Sequence, residues 1–337
     1  MLAEAGEAPQ AVARLLASDR ETYAALAADL RNAPPAAMLT VARGSSDHAA
    51  HYMAYLTMAR LGRLVTSLPM SLVTLYPSRL VCDGLVAFGF SQSGQSPDIV
   101  APIAAVRERG ARTVALVNDT ASPLAKAAQW LLPLHAGREQ SVAATKSYIA
   151  QLVAGARLVA LWEREKTLLD AVEALPEALS KAAALDWSPA VEALRDVDRL
   201  YVIGRGTGHA VTMEAALKLK ETSAIHAEAF SSAEVLHGPA GIIGPGFPVL
   251  AFAPADAARE GFFDALERLA SFGAAPLLID CQAHPRWRTI VALDGGHPLL
   301  TPIVALHAFY RVAEATARWR GRDPDQPPHL RKVTETL

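Results

Sequence analysis

Acidic, basic and imidazole side chains are concentrated in one stretch, from Lys218 to Pro239, which reads KLKETSAIHAEAFSSAEVLHGP. It combines two lysines, three glutamates and two histidines with apolar residues, and it ends in a Gly-Pro break. Carboxylates, amines and imidazoles placed at a helix end and a turn are the groups that proteins use for proton transfer. The stretch is therefore the first candidate for general acid-base chemistry.

Lys218 and Glu221 lie three residues apart on a predicted helix, so their side chains share one face. On spacing alone a surface ion pair is the simpler interpretation, because such pairs are abundant and weak. Glu228, Glu234 and His237 follow in a mostly apolar sequence, where His237 is also compatible with a core or capping histidine. Because buried carboxylates need partners or altered pKa values, a buried cluster would favour proton transfer over the surface pair.

A serine-rich loop is the second candidate. Ser91 to Ser96, SQSGQS, follows the apolar run LVAFGF and precedes Pro97, which suits the first turn of a helix. Backbone N–H groups at a helix N-terminus, together with hydroxyls, can bind a phosphate without any basic side chain. A polar turn with a serine cap is the competing interpretation.

Two more loops have a similar character. Arg43 to Ser46 follows an earlier apolar run, and loops of this kind gather at the carboxyl edge of an open parallel sheet. Two serine loops at one edge favour phosphate binding. In the third loop, Ser141 to Tyr148, small residues would let a ligand approach the backbone, and Lys146 could contact an anion. A solvated lysine at the start of a helix is the simpler explanation of Lys146.

A metal site is a weaker interpretation of the histidines. His48 with His51, and His226 with Glu228, do not complete a ligand set. We therefore do not expect a metal site.

The elements that position these groups follow an alternating pattern, in which short apolar runs precede helical periods, as is typical of βαβ units. One long helix is predicted from Thr145 to Glu173, followed by a connection from Pro176 to Trp187. The other predicted strands lie at 37–42, 85–90, 113–117, 200–203, 249–252 and 276–280, and predicted helices end near residues 61, 109, 222, 272 and 320.

The pattern is doubled along the chain. ARGSSDHA, from Ala42 to Ala49, and GRGTGHA, from Gly204 to Ala210, both follow a short predicted strand and both open a helix. Their Arg-Gly pairs lie 162 residues apart. Although a Gly-rich turn is common in parallel sheets, duplication of one α/β unit that binds a nucleotide or sugar explains the match more simply.

Composition limits the class of protein. Of 337 residues, 51% are hydrophobic and 20% charged, which is enough apolar material for two domains of about 150 residues each. The formal net charge of -2 leaves no excess of lysine and arginine to neutralise a nucleic-acid backbone. A small-molecule partner is therefore expected, and nucleic acid is not.

Cysteine usage and the apolar stretches indicate the compartment. Cys82 and Cys281 lie far apart without CxxC spacing, which argues against a disulfide scaffold or a thiol redox motif. The first residues carry acids where a signal peptide needs a basic flank, and Arg157 interrupts the apolar stretch 150–162. These features predict a cytoplasmic protein with no membrane association.

Six short motifs occur in order along the chain: SQSGQS, VAATKS, ALKLKE, IHAEAF, LHGP and DPDQP. Together they resemble the sugar isomerase (SIS) domain family from about Pro35 onward, more closely the isomerase half of glucosamine-fructose-6-phosphate aminotransferase. The variants RGSSDHA, SQSGQSPDI, ALVND and AEAFSSAE look closer still to stand-alone SIS-type glucosamine-6-phosphate deaminases. The resemblance implies two flavodoxin-like α/β subdomains with five-stranded parallel sheets flanked by helices, and a homodimer with active sites near the subunit interface.

The domain division expected on this basis has four parts. An N-terminal helical segment (1–34) precedes the first SIS subdomain (35–180), which carries the sugar-phosphate loops. The second subdomain (181–323) carries the acid-base residues, and a C-terminal tail (324–337) carries an active-site lysine.

The resemblance also implies roles for individual residues. Glu221 matches the residue that moves a proton between C1 and C2 of the sugar, with Lys218 beside it. His237 matches the histidine associated with ring opening, and Lys332 the lysine that engages the open-chain carbonyl. The residues matched to substrate binding, most of them in the serine loops, are Gly44, Ser45, Ser91, Gln92, Ser93, Ser96, Val142 and Ala144.

Lys332 gains most from the resemblance, because a lysine six residues from the end of a chain would otherwise be interpreted as part of a frayed tail. Three positions depart from the synthase pattern. Ser96 replaces a threonine and retains the hydroxyl, Arg43 replaces a cysteine, and Ala144 replaces a serine. The last two changes alter the expected sugar pocket.

The reaction that fits this set is conversion of glucosamine 6-phosphate and water to fructose 6-phosphate and ammonia, which needs neither a metal nor an organic cofactor. Only about thirty residues precede the first predicted strand, so hydrolysis of glutamine within this polypeptide is not expected. A synthase lacking its glutaminase domain and a deglycase acting on fructosyl-amine 6-phosphates share the same groups. A sugar-phosphate sensor is the alternative of another class, although a sensor does not need the four catalytic residues together.

Overall fold

The computed structural model describes residues 1–76 and 78–332, which form two compact units. The unit that we call the N-terminal unit consists of Gln10–Glu139, Lys146–Glu173 and the tail residues Arg331 and Lys332. The C-terminal unit consists of Met1–Pro9, Gln140–Thr145 and Ala174–Leu330.

The secondary structure alternates between strands and helices through most of the chain. The helices are α1 (Leu2–Gly6), α2 (Ala8–Ala17), α3 (Arg20–Asn32), α4 (Gly44–Leu61), α5 (Ser71–Thr74), α6 (Pro97–Glu108), α7 (Pro123–Ala127), α8 (Lys146–Glu163), α9 (Lys166–Ala183), α10 (Ser188–Leu194), α11 (Gly208–Ser223), α12 (Arg259–Ser271) and α13 (Thr301–Trp319). The strands are β1 (Met38–Val41), β2 (Val65–Ser67), β3 (Val86–Ser91), β4 (Arg112–Val117), β5 (Trp130–Pro133), β6 (Arg199–Gly204), β7 (His226–Ser231), β8 (Phe247–Phe252), β9 (Ala274–Asp280) and β10 (Arg288–Val291). Two 3₁₀ helices cover Glu234–Leu236 and Pro239–Ile242.

Each unit contains one sheet, and within the described residues each sheet has five parallel strands. The strand order is β2-β1-β3-β4-β5 in the N-terminal unit and β10-β9-β8-β6-β7 in the C-terminal unit. Counted within each unit, both orders are 2-1-3-4-5, the flavodoxin-like arrangement. The predicted fold class and the predicted duplication are therefore confirmed.

This strand order places a topological switch point between the first and third strands of each unit. In the N-terminal unit the chain runs from β1 to β2 in one direction and from β3 to β5 in the other. The loops that follow β1 and β3 therefore leave the sheet side by side at its carboxyl edge, and this is where ligands of open α/β sheets bind. The two serine loops of the sequence prediction are these loops.

The central strands are buried because helices cover a parallel sheet on both faces. Every residue of β1 and β3 is buried, and the core of the N-terminal unit continues through apolar residues of α6 such as Ile103 and Val106. The C-terminal unit has a separate core, in which Tyr201 and Ile203 of β6 join Phe262 of α12. The continuous apolar runs of the sequence predict these inner strands for the same reason.

The predicted single helix from Thr145 to Glu173 is wrong. The chain breaks at Arg164, which has a φ of 62°, and the Glu165 carboxylate then caps α9. Its oxygens accept hydrogen bonds from the backbone N–H and the hydroxyl of Thr167, at 3.1 and 2.7 Å, and from the backbone N–H of Leu168. A local capping interaction of this kind ends one helix and starts another without changing the hydrophobic period.

The predicted connection from Pro176 to Trp187 is also wrong at its start, because Pro176 lies inside α9. Proline removes one helical hydrogen bond, but the apolar stripe of this helix continues through it. The stripe consists of buried residues at helical spacing: Leu168, Val172, Leu175 and Leu179.

Four strands were not predicted: β2, β5, β7 and β10. All four lie at the edges of the two sheets, and three of them have only three or four residues. β2, β7 and β10 carry polar residues and therefore lack the continuous apolar run of a central strand, whereas β5 is apolar but has only four residues. The omission matters most for β7, which lies within the stretch Lys218–Pro239.

A buried histidine in α13 makes the stability of the C-terminal unit depend on pH. Burial, reinforced by the nearby Arg311 guanidinium, lowers the pKa of His307 to about 4. The folded state therefore holds this imidazole neutral, whereas the unfolded chain binds a proton near pH 6.5. Its contribution to stability is complete above about pH 6.5 and is lost as the pH falls toward 4.

Replacing His307 with leucine is expected to remove up to roughly 3 kcal/mol of the destabilisation that wild type shows between pH 7.5 and pH 4.5. The measurement is the urea unfolding midpoint of both proteins at the two pH values. An equal fall of the midpoint in both proteins would show that His307 is not responsible.

Among residues 1–76 and 78–332 no helix is long and apolar enough to span a membrane. Cys82 is buried and Cys281 partly buried, and both are free thiols.

Candidate functional site

The serine loop after β3 is folded by its own hydroxyls. Ser91 Oγ accepts a hydrogen bond from the backbone N–H of Gly94 at 2.9 Å, and Ser93 Oγ accepts one from the N–H of Gln95 at 3.3 Å. Ser96 then adopts an extended conformation and Pro97 begins α6, as the sequence predicts. The loop therefore presents backbone N–H groups and hydroxyls at the positive end of a helix dipole.

Gly94 is the residue that allows this loop to close. It has a φ of +66°, and an added Cβ would lie 2.2 Å from Ser122 Oγ and 2.8 Å from Val117 Cγ2. Its carbonyl also accepts a hydrogen bond from the N–H of Leu124 at 3.1 Å. A larger residue at this position would have to displace the segment that follows β4.

The loop after β1 is joined to the loop after β3 by an ion pair. Arg43 Nε donates a hydrogen bond to Asp98 Oδ2 at 3.1 Å, and the Asp98 side chain is buried in the first turn of α6. Gly44 takes a φ of +55°, and Ser46 Oγ accepts a hydrogen bond from Gln151 Nε2 at 3.0 Å. Arg43, which departs from the synthase pattern, thus connects two predicted phosphate loops.

The third loop differs from its prediction at Lys146. This lysine is 1% exposed, and its Nζ donates a hydrogen bond to the carbonyl oxygen of Arg138 at 2.6 Å. The interpretation of Lys146 as a solvated lysine is therefore wrong: the helix start it occupies is covered by protein. In the C-terminal unit, the N–H of Val142 donates to the carbonyl oxygen of Asp325 at 3.2 Å, and Ala144 lies two residues further on.

Lys332 is held by a buried carboxylate of its own unit. Its Nζ donates a hydrogen bond to Glu139 Oε2 at 3.1 Å, and the Glu139 side chain is fully buried. Ser147 contacts the same carboxylate through its backbone N–H and its hydroxyl. Sequence reasoning alone favours a frayed tail at Lys332, because the partner lies 193 residues away along the chain.

Lys218 and Glu221 belong to a buried ion-paired group and not to a surface pair. Lys218 Nζ lies 2.5 Å from Glu221 Oε2 and 3.3 Å from Glu214 Oε1. Burial alone would lower the pKa of Lys218, but the two carboxylates more than offset it and raise that pKa above its usual value. Lys218 therefore stays charged throughout the neutral pH range.

Glu214 was missed by the sequence reasoning. It lies four residues before Lys218, on the same face of α11, and its side chain is as fully buried as that of Lys218. Its position at spacing i, i+4 was the available signal, but nothing in the sequence alone shows that this face of the helix is covered.

The other acids of the stretch are not buried. Glu228 lies exposed on β7, and Glu234 lies exposed in a 3₁₀ turn, so neither belongs to a buried cluster of acids. β7 lies at the edge of its sheet, and exposure alternates over its first three residues, His226 to Glu228, which leaves Glu228 exposed. The buried carboxylate of this region is Glu214 instead.

His237 is exposed at the end of that 3₁₀ turn. Gly238 has a φ of +139°, and the next carbonyl, of Pro239, accepts a hydrogen bond from the Tyr201 hydroxyl at 2.7 Å. The turn is therefore fixed while the imidazole faces outward.

The predicted site residues thus fall into two groups. The N-terminal unit holds the two serine loops and Lys332, whereas the C-terminal unit holds Val142, Ala144, the pair Lys218–Glu221 and His237. Residues 1–76 and 78–332 contain no cluster of three or more histidine, cysteine, aspartate or glutamate side chains suited to a metal ion.

The SIS domain profile matches residues 31–161 and 193–288, and the chain belongs to this family. The two matched segments contain the serine loops and the stretch Lys218–Pro239, respectively.

Curated relatives share the same region. Glutamine–fructose-6-phosphate aminotransferase (isomerizing) of Symbiobacterium thermophilum is 33% identical over 322 residues, which cover 91% of this chain and 52% of that protein. The protein of the same name from Aeropyrum pernix is 35% identical over 357 residues, covering 99% of this chain and 56% of its own length. The chain therefore spans about half the length of these curated relatives.

Solved structures agree with the fold. A candidate phosphosugar isomerase from Silicibacter pomeroyi DSS-3 superposes with a TM-score of 0.91 at 43% identity, covering 96% of this chain and 99% of the other. The C-terminal domain of glucosamine-fructose-6-phosphate aminotransferase from Francisella tularensis gives 0.85 at 25% identity, covering 96% and 97%. Glucosamine-6-phosphate deaminase from Thermotoga maritima gives 0.77 at 22% identity, covering 99% of both chains, and at that identity it supports the fold alone.

Proposed function

We propose that this protein is a phosphosugar isomerase that releases an amine, and that it converts glucosamine 6-phosphate and water to fructose 6-phosphate and ammonia. The observation that carries the proposal is the buried group on α11. Glu214 and Lys218 have side-chain exposures of 0%, whereas Glu221 retains 20%. Glu221 is therefore a carboxylate that contacts a buried ammonium on one side and remains accessible to a substrate on the other.

The first steps of the reaction bind and open the sugar. The phosphate is held by the loop Ser91–Ser96, where backbone N–H groups at the start of α6 and hydroxyls act as donors, with Gly44 and Ser45 contributing from the neighbouring loop. His237 assists opening of the sugar ring by moving a proton between the ring oxygen and C1 hydroxyl. The open chain then carries an aldehyde at C1 and an amine at C2.

Isomerisation moves two protons. The Glu221 carboxylate takes the proton from C2 and returns it to C1, while the C1 oxygen gains a proton and the C2 nitrogen loses one, which converts the amino-aldehyde to an imine at C2. Water adds to the imine and ammonia leaves, giving fructose 6-phosphate. The buried Lys218 ammonium holds the Glu221 carboxylate in place through their 2.5 Å contact, and the amine of Lys332 engages the open-chain carbonyl.

The reverse direction is the second candidate, and the curated relatives favour it. They are named as aminotransferases that act on fructose 6-phosphate and glutamine, and this chain corresponds to about half of their length. A synthase supplied with ammonia from elsewhere would use the same residues. A fructosyl-amine-6-phosphate deglycase would also share them, because it breaks the same kind of C–N bond.

A panel assay separates these candidates. The purified chain is mixed in turn with glucosamine 6-phosphate, with fructose 6-phosphate plus ammonium, and with fructosyl-amine 6-phosphates, and products are followed by mass spectrometry. Release of ammonia from glucosamine 6-phosphate as the fastest reaction supports the proposal. Faster turnover of a fructosyl-amine 6-phosphate would identify the protein as a deglycase. Sugar-phosphate binding without turnover of any compound would instead identify a sensor.

Replacing Gly94 with alanine is expected to weaken fructose 6-phosphate binding at least about tenfold, because the new Cβ clashes with Ser122 and the loop must open. Gly62→Ala is the matched control. Gly62 has nearly the same φ, +62°, but an added Cβ there meets nothing within 4 Å. Titration calorimetry measures both affinities. Equal affinities for the two variants would show that the Ser91–Ser96 loop does not bind the phosphate.

A further inference from the structure

The carboxylate that pairs with Lys332 is buried and held by further hydrogen bonds, unlike a carboxylate in an ordinary surface contact. Glu139 has a fully buried side chain and accepts hydrogen bonds from Ser147 and Lys332. The backbone N–H of Ser147 donates to Oε1 at 3.2 Å, and the Ser147 hydroxyl and Lys332 Nζ donate to Oε2 at 2.5 and 3.1 Å. All three residues belong to the N-terminal unit.

Two of these hydrogen bonds fix the carboxylate independently of the lysine. Ser147 is the second residue of α8, so its N–H has no acceptor within the helix, and the positive end of the helix dipole favours an anion here. Glu139 is therefore a negative charge held in place before Lys332 arrives. Because the carboxylate is already ordered, binding of an ammonium to it costs little additional side-chain entropy of the glutamate.

A second glutamate shows what a plain helix cap looks like in this chain. Glu165 caps α9 with the same kinds of donor, a backbone N–H and a hydroxyl from Thr167 and one more backbone N–H. The largest cause that lowers the pKa of Glu165 is its hydrogen bond from Thr167, and the charge of Arg60 contributes least, so no close basic partner is part of this cap among the described residues. A capping role therefore requires neither the complete burial of Glu139 nor its contact with Lys332.

We propose that Glu139 is a positioning residue for Lys332. It holds the last described residue of the chain against the start of α8 and so fixes the amine that engages the sugar carbonyl. This inference rests on the proposed function, in which Lys332 is that amine. Because a group misplaced by about 1 Å can cost about 100-fold in rate, the chemical step is expected to depend on this carboxylate although Glu139 need not touch the substrate.

The test is reductive trapping of the sugar on the full-length chain. The Lys332 amine nitrogen bonds to the carbonyl carbon of fructose 6-phosphate, water leaves, and borohydride delivers hydride to the carbon of the resulting imine. The stable secondary amine is then located by peptide mass spectrometry. We expect the adduct on Lys332 in wild type.

Glu139→Gln keeps an oxygen acceptor for Ser147 but removes the charge. We expect it to lower the trapping rate and kcat about 100-fold, with little change in KM, and Glu139→Asp to recover part of both. Glu165→Gln removes a comparable capping charge and is expected to trap at the wild-type rate. Trapping by Glu139→Gln at the wild-type rate would overturn the proposal, as would an equal loss in Glu165→Gln.

A second readout needs no sugar and separates this inference from the proposed function. The rate of acetylation of Lys332 is compared with that of Lys166, whose side chain is 81% exposed against 23% for Lys332. We expect Lys332 to be protected in wild type and to react severalfold faster in Glu139→Gln. Absence of both trapping and turnover in wild type would show that Lys332 is not a catalytic residue. Unchanged acetylation of Lys332 in Glu139→Gln would show, independently of any sugar, that Glu139 does not position this lysine.

Discussion

Replacing Glu221 with glutamine is expected to lower turnover of glucosamine 6-phosphate by about 100- to 10,000-fold, the usual contribution of a positioned general base. Glutamine has nearly the same shape and can still accept a hydrogen bond from Lys218 Nζ, which lies 2.5 Å from the Glu221 carboxylate. The fold should therefore survive, while the group that takes the proton from C2 is lost. Steady-state kinetics and titration calorimetry with fructose 6-phosphate measure the two effects separately.

Glu228→Gln is the matched control for this experiment. Glu228 belongs to the same stretch, but it lies exposed on the edge strand β7. We expect kcat and affinity to stay within about twofold of wild type, because an exposed charge of this kind contributes little. Near-normal turnover by the Glu221 variant, or an equal loss in both variants, would contradict the assignment of proton transfer to Glu221.

Replacing Lys218 with methionine is expected to destabilise the C-terminal unit by about 3–5 kcal/mol. The lysine is fully buried between two carboxylates, and its removal leaves the buried Glu214 charge without the ammonium that faces it. This loss is a large share of the roughly 5–15 kcal/mol that stabilise an ordinary domain. The urea unfolding midpoint measures it.

Two further variants show whether the loss comes from the buried charge. Lys220→Met alters an exposed lysine of the same helix and is expected to change stability by no more than about 0.5 kcal/mol. Adding Glu214→Gln to Lys218→Met removes the unpaired charge and should restore part of the stability. If the double variant is less stable than Lys218→Met, the destabilisation has another cause.

The sequence was informative where the physical signal is local. The apolar runs of the inner strands follow from burial on both faces of a parallel sheet, and they were sufficient to predict the α/β class and the duplication. Ser91–Ser96 was also predictable as a strand-to-helix loop, because Pro97 suits the first turn of a helix and the strand ends at Ser91. What the loop binds stays a proposal.

The remaining features depend on tertiary contacts that no short segment reveals. The spacing of Lys218 and Glu221 is the same for a surface pair and a buried one, and only the packing of α11 distinguishes them. The salt bridge of Lys332 joins residues 193 positions apart. The break at Arg164 was missed because a cap formed by Glu165 leaves the apolar period of the two helices unchanged.

The central claim is tested most directly by incubating the purified chain with glucosamine 6-phosphate alone, without glutamine, and measuring ammonia and fructose 6-phosphate in the same reaction. We expect the two products in equal amounts and at equal rates, with both lost in Glu221→Gln. The account would be contradicted if neither product formed while fructose 6-phosphate still bound and Gly94→Ala still weakened that binding. The protein would then bind the sugar phosphate without converting it.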